Sequence, residues 1–305
     1  MGKDEPVQRS RAPYVFLMPY AVAFLVFFLF PVGFSFVLSL TDWDGLHPLR
    51  SIGFANYGAL LNDATFRGSM ATTAIILLQT LPMQIMLALV LAFGLHMSIV
   101  GGKDFFQTVL FLPYITTPVA VGLLFQSLLG GQFGLVNALL LRVHLIREPI
   151  QWLLQPVYAK PIISFILGWR NLGYIMVFLM AGMKSIPWEI YESARVDGAR
   201  LPTMFWRITV PLIRPVLSFV VVTSVIGGFQ LFDEPFLLYQ FASAVESAVG
   251  GPDHAGLTIV TYLYQTAYRF HHWGYAAAIG YALAIVILVC TFLGLRLLTR
   301  NRRGA

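Results

Sequence analysis

The chain is poor in the residues that catalysis and metal binding usually draw on. Its 305 residues include one cysteine, Cys290, so no internal disulfide can form and a thiolate metal site is not expected. Asp, Glu, Lys and Arg together make up only 11% of the chain. Of the lysines, Lys3 and Lys103 follow a glycine but precede aspartate, so no Gly-x-x-x-x-Gly-Lys-Ser/Thr phosphate loop is present. The chain therefore carries no ATP site of that kind. His-Glu-x-x-His, Gly-x-Ser-x-Gly and paired Cys/His clusters are missing too, which leaves no candidate catalytic residue and no metal set. His271 and His272 are adjacent, so on a helix they point apart and read as surface residues.

What is abundant is apolar sequence. Hydrophobic residues make up 58% of the chain, with a mean hydropathy of +0.75, far above a soluble domain. The net charge of +6 is dispersed at the ends of apolar runs, which excludes a nucleic-acid surface and marks the basic residues as topology signals. About 20 apolar residues cross a bilayer as a helix. On that rule the chain is an all-α integral membrane protein with six spans, at 14–40, 71–95, 106–129, 161–183, 212–232 and 275–298. Ala21-Val22-Ala23 resembles a signal-peptidase site, but the apolar run continues to Leu40, so the first span is expected to stay uncleaved. Pro19 and Pro31 within it predict a tilt or kink. Cys290 falls in the last span as a small packing residue.

The domain organisation is then a tail at 1–13, a six-helix domain at 14–298 and a basic tail at 299–305, with no separate soluble domain. With the N-terminus inside, the cytoplasmic pieces hold Lys3, Arg9, Arg11, Lys103, Lys184, Arg195, Arg200, Arg207, Arg214, Arg296, Arg300, Arg302 and Arg303. The outer pieces hold Arg50, Arg67, Arg142, Arg147, Lys160 and Arg269. That balance of 13 against 6 favours both termini in the cytoplasm. The apolar pattern at 135–145 is too short to cross and reads as a re-entrant or interfacial helix.

One polar segment interrupts the apolar pattern, SIPWEIYESARVDGARLPTMFWRITVPLIRP at 185–215. Pro187 suits the first position of a helix, and Gly198 suits a left-handed stop. Glu189, Glu192 and Arg195 project away from the face that holds Ile190, Tyr191 and Ala194, and a second helical piece is expected over 201–208. Pro211 and Pro215 mark the return to the bilayer.

Glu192-Ser193-Ala194, Asp197-Gly198, Ile208 and Val210-Pro211 stand at offsets that resemble the EAA loop of permease subunits from binding-protein-dependent ABC importers. Ser193 stands where that family has its first alanine, and Val210 where it has leucine. Gly53-Phe54-Ala55-Asn56-Tyr57 resembles the Gly-Leu-x-Asn-Tyr segment of the carbohydrate branch, of maltose and glycerol-phosphate type. Gly250-Gly251-Pro252 and Gly274-Tyr275-Ala276-Ala277-Ala278 resemble two further segments of that branch, although 240–249 is longer than usual.

The resemblance implies a cytoplasmic helix-Gly-helix coupling loop at 185–210. Glu192, Ser193, Ala194, Asp197, Gly198, Ile208 and Pro211 would meet a dimer of cytoplasmic ABC ATPases that bind the ATP and Mg, leaving this chain without a cofactor. It implies a second homologous permease, an extracellular or periplasmic solute-binding protein, and a bacterial or archaeal inner membrane. For the solute path, intramembrane polar groups are costly unless they line a cavity. Arg170, Asn171 and Tyr174, with Thr223, Gly227 and Gln230, form two such stripes and match the solute region of maltose-type permeases. Amides and aromatic faces suit sugars. Arg170 leaves open an anionic solute, such as glycerol phosphate or an amino acid, or a structural pair with Asp233 or Glu234. A membrane-embedded enzyme using Asp233, Glu234 and His271 or His272 is the reading from another class.

Overall fold

The computed structural model describes residues 12–99, 101–240 and 250–300. Among them the only strand-like pairing is an isolated bridge between Thr41 and Ser51, and the rest is helix and connection. The elements are α1 (Ala12–Phe24), α2 (Phe30–Ser39), α3 (Ala55–Asn62), α4 (Ala64–His96), α5 (Lys103–Ile115), α6 (Pro118–Leu129), α7 (Leu135–Arg142) and α8 (Pro156–Lys184). They continue through α9 (Trp188–Val196), α10 (Leu201–Thr203), α11 (Val210–Leu212), α12 (Arg214–Phe229), α13 (Asp233–Gln240), α14 (Ile259–Tyr264) and α15 (Trp273–Arg300). Five described helical stretches are long and apolar enough to span a membrane, and a bent pair makes a possible sixth.

Proline and glycine account for most of the irregularities. A π-helical turn, Leu25–Leu29, joins α1 to α2, and the Phe30 N–H reaches back five residues to the Leu25 carbonyl just ahead of Pro31. Proline lacks an N–H and crowds the carbonyl four residues earlier, and a wider turn there relieves both problems. The same device precedes Pro211, where the Val210 N–H bonds to Phe205 O at the end of the π turn Met204–Thr209. The second half of the polar loop is therefore a short α10, a π turn and α11, rather than the single helix expected over 201–208.

Residues 106–129 do not form one continuous helix. Helices α5 and α6 meet at 96°. Thr116 and Thr117 are both extended, as a residue before proline prefers, and Pro118 then opens α6 with the Thr117 hydroxyl accepting from the Ala120 N–H. The sequence reading missed this because composition does not register a two-residue corner. Another correction concerns Pro187, which sits at the N-cap, one position ahead of the helix it was expected to begin. The fifth candidate span, Arg214–Gln240, runs past the expected end at 232 and carries a short interruption of the helix. Helix α12 stops at Phe229, and the chain resumes as α13 after Gln230, Leu231 and Phe232. The long stretch before Gly250 falls on 241–249, which lie outside the described residues, as do the terminal residues of both tails.

Asn56 explains the loop between α2 and α3. It is buried, and its Nδ2 donates to the Ser39 and Thr41 carbonyls at 2.9 and 3.0 Å, satisfying the end of α2. Gly53, at φ +58°, makes the turn into α3. Gly274 seats α15 on the same corner, since a Cβ there would lie 2.0 Å from Thr41 O. Helix α7 has eight residues, about 12 Å of rise, and does not cross. Its buried Asn137 accepts from Trp152 Nε1 at 2.9 Å and donates to Gly131 O at 2.7 Å.

Helix α8 is the most buried span and packs against α4 and α5. Three buried clusters surround it or its neighbours: one joins the ends of α4 and α8 to α9, another joins α6, α8 and α13, and the third joins α4, α12, α14 and α15. Cys290 is a free thiol at the edge of the third.

Candidate solute cavity and coupling surface

Between α4, α8 and α12 lies a cavity of about 430 Å³. Its wall includes Arg170, Asn171 and Tyr174 from α8, with Thr223 and Gly227 from α12 and Gln230 at that helix's C-cap. The structure thus brings all six residues of the expected solute path to one surface. Their chemistry differs. Asn171 Nδ2 is used on its own helix, at Leu167 O, and the Thr223 hydroxyl likewise bonds to Phe219 O and Val220 O. A Cβ on Gly227 would meet nothing within 4 Å, whereas one on Gly228 would collide with Leu77 Cδ2 at 1.9 Å. Close helix packing is therefore the task of Gly228, and Gly227 faces open space.

Arg170 pairs with Glu234. Nη1 and Oε1 are 2.5 Å apart, with side-chain exposures of 19% and 6%. Glu234 lies in the first turn of α13, which packs on α8. Sequence reasoning named Glu234 as one of two possible partners but could not choose.

Gln84 and Tyr114 also line the cavity and were not foreseen. Gln84 is 4% exposed inside α4, and its Oε1 has no hydrogen-bond donor. An amide within an apolar run was a usable signal. Tyr114 stacks on Tyr174 with centroids 4.5 Å apart, and Tyr174 in turn meets Phe178. The packing of α5 on α8 places it there.

The polar loop is anchored from below and open above. Tyr191 is fully buried, and its hydroxyl meets Thr209 Oγ1 at 2.9 Å. Burial raises the Tyr191 pKa above the ordinary phenol value, with the Thr209 hydrogen bond opposing. Its ring lies 5.7 Å from His96, which also meets Trp188 edge-on. Both ends of the loop are thereby tied to the end of α4 and to Met183 of α8.

On the free side, Glu192, Ser193 and Asp197 are exposed, Ala194 and Ile208 are half-buried against the cluster, and Pro211 is half-buried. Val196 is 88% exposed. Gly198, at φ +78°, ends α9 with its N–H on Arg195 O while the Ala199 N–H reaches Ala194 O, the paired bonds of a Schellman stop. His271 and His272 are exposed, and among the described residues no group of three or more His, Cys, Asp or Glu could hold a metal.

At the other end of α4, Asp63 caps the helix through the Thr65 and Phe66 N–H groups. Its other oxygen accepts from the Tyr262 and Tyr275 hydroxyls at 2.5 and 2.8 Å. Burial opposes its ionisation, but those four hydrogen bonds outweigh it and hold the Asp63 pKa below the ordinary carboxylate value.

No family model matches the sequence. The chain is 34% identical over 298 residues to the arabinooligosaccharides transport system permease protein AraP of Bacillus subtilis (strain 168), covering 97% of this chain and 91% of that protein. It is 36% identical over 281 residues to the lactose transport system permease protein LacF of Rhizobium radiobacter, covering 92% and 91%. The chain belongs to the permease subunits of carbohydrate ABC importers. A chain of a bacterial ABC transporter involved in the import of the acidic polysaccharide alginate superimposes on this permease with a TM-score of 0.81 at 25% identity, covering 96% of one and 97% of the other. The permease is accordingly a multi-pass, all-helical membrane protein of the transporter class.

Proposed function

We propose that this permease carries a sugar or oligosaccharide across the bacterial inner membrane through the cavity between α4, α8 and α12. On this reading a solute-binding protein delivers the sugar from outside and a pair of ATPases in the cytoplasm supplies the work. A second, homologous permease completes the pathway, and both termini face the cytoplasm. Loop 185–210 is the coupling segment. The observation that carries the reading is its mounting: Tyr191 is sealed into the bundle while Glu192, Asp197 and Val196 stand free.

A force applied to α9 reaches the ends of α4 and α8 through packed side chains, and these two helices wall the cavity. Nucleotide-driven closure of the ATPases would move α9 and bias the cavity between outward-open and inward-open arrangements. Glu192 supplies a charge-assisted contact on the ATPase, and Gly198 supplies the turn that presents it. Changing Glu192→Lys, or Gly198→Leu, should abolish sugar uptake by the assembled transporter and weaken co-purification of the ATPase. Normal uptake by both variants would sink the coupling role. Turnover by the isolated chain would instead support the enzyme reading.

A further inference from the structure

Resting on the reading of the cavity as the solute path, we propose that it is built for a neutral, hydroxyl-rich saccharide and turns away acidic ones, with Glu234 setting that preference. The charged lining is one cation, Arg170, against two anions, Asp233 and Glu234. The cation is engaged, since Glu234 holds its Nη1 at 2.5 Å. An arginine recognises carboxylate or phosphate by offering its whole fork, and here part of the fork is already occupied. A uronate or phosphorylated sugar would have to displace Glu234, leaving a 6%-exposed carboxylate without its counter-charge, and would then face Asp233 beside it.

What the wall leaves unpaired fits a different ligand. Gln84 Oε1 is a buried acceptor without a donor, and Arg170 Nε is a buried donor without an acceptor. A neutral hydroxyl can donate to the first and accept from the second, whereas an ionised carboxylate or phosphate cannot donate to an amide oxygen. The terminal torsion of glutamine is soft, so Gln84 can turn its amide toward a ligand at little cost. The stacked Tyr114–Tyr174 pair and Phe232 add apolar ring surface for the C–H face of a sugar. The fold does not decide the matter, because the alginate importer shares it; the charge of the wall does.

The test is equilibrium binding of two uncharged trisaccharides, maltotriose and arabinotriose, and of trigalacturonate to the purified full transporter complex. Wild type should bind at least one uncharged sugar roughly tenfold or more tighter than the uronate. Glu234→Gln frees Arg170 and should raise trigalacturonate affinity roughly tenfold, with a new salt dependence. Equal wild-type affinities for the two classes, or a Glu234→Gln variant that gains nothing for the uronate, overturn the proposal while leaving the cavity as the solute site. Binding of none of the three sugars overturns the cavity reading itself.

Should Glu234→Gln fail to assemble, the double variant Arg170→Met with Glu234→Met removes both charges together. It gives up the Arg170 Nε donor, so uncharged-sugar binding should weaken, and it should gain nothing for the uronate because no cation is freed; a gain for the uronate overturns the proposal. Gln84→Leu should weaken uncharged-sugar binding roughly tenfold through the lost hydrogen bond; unchanged binding removes Gln84 from the argument and overturns its part in it.

Discussion

Replacing Gly173 by alanine should loosen the contact that shapes one wall of the cavity. A Cβ at Gly173 would lie 2.0 Å from Leu110 O, 2.5 Å from Leu110 C and 2.7 Å from Phe111 Cα. All three are backbone atoms of α5, so no side chain can swing away. Carbon contacts relax only near 3.5–4.0 Å, so α5 and α8 must separate by roughly 1 Å or more. Overpacking of this kind costs about 1–3 kcal/mol, against which exchanging glycine for alanine inside a helix returns at most about 1 kcal/mol.

Gly94→Ala in α4 is the matched control, because a Cβ there meets nothing within 4 Å and only the helix-propensity gain applies. The assay is thermal unfolding of the purified transporter followed by tryptophan fluorescence, with sugar binding measured alongside. Gly173→Ala should melt below wild type and bind sugar more weakly, because moving α5 opens the Tyr114–Tyr174 stack. Gly94→Ala should melt at or above wild type. A Gly173→Ala protein as stable as the control would refute the claim that backbone approach holds these helices together.

Three further outcomes follow from sites described above. Asn56→Ala strands the Ser39 and Thr41 carbonyls and should destabilise by about 1–3 kcal/mol, read as a lower melting temperature; Asn56→Asp, which loses both donors, should not rescue it. Asp63, held below its ordinary pKa, contributes stability that is complete above the unfolded carboxylate value of about 4 and is lost as pH falls through the folded value. Melting temperature should therefore fall less steeply in Asp63→Asn than in wild type as the pH is lowered below about 4, and parallel curves would refute the role of the tyrosine hydroxyls. Tyr191→Phe loses the bond to Thr209 and should cost about 1 kcal/mol; uptake should drop more than sugar binding, since the loosened part is the mounting of α9 and not the cavity.

Much of this was legible in the sequence because bilayers impose a coarse rule. Apolar length located every long helix, and Arg170, Tyr174 and Gln230 stood out as polar groups in apolar surroundings. Gly198 was readable as a left-handed stop because only one helix end in the polar loop could need it. Composition could not show the corner at Thr116–Thr117, which rests on two extended residues before a proline in a run as apolar as its neighbours. Nor could it show that Tyr114 of α5 stacks on Tyr174, or that Glu234 and not Asp233 pairs with Arg170. Gly227 and Gly228 are indistinguishable by pattern, and one residue of helical rotation decides which meets Leu77.

The corner between α5 and α6 also divides an allegiance. Helix α5 lies on α8 and carries Leu110 to the cluster under α9, whereas α6 lies on α13 and gives Val121 and Phe125 to another, with Gln126 clasping Leu237 O and Leu238 O. Two extended residues, Thr116 and Thr117, are all that turns the chain from one set of partners to the other.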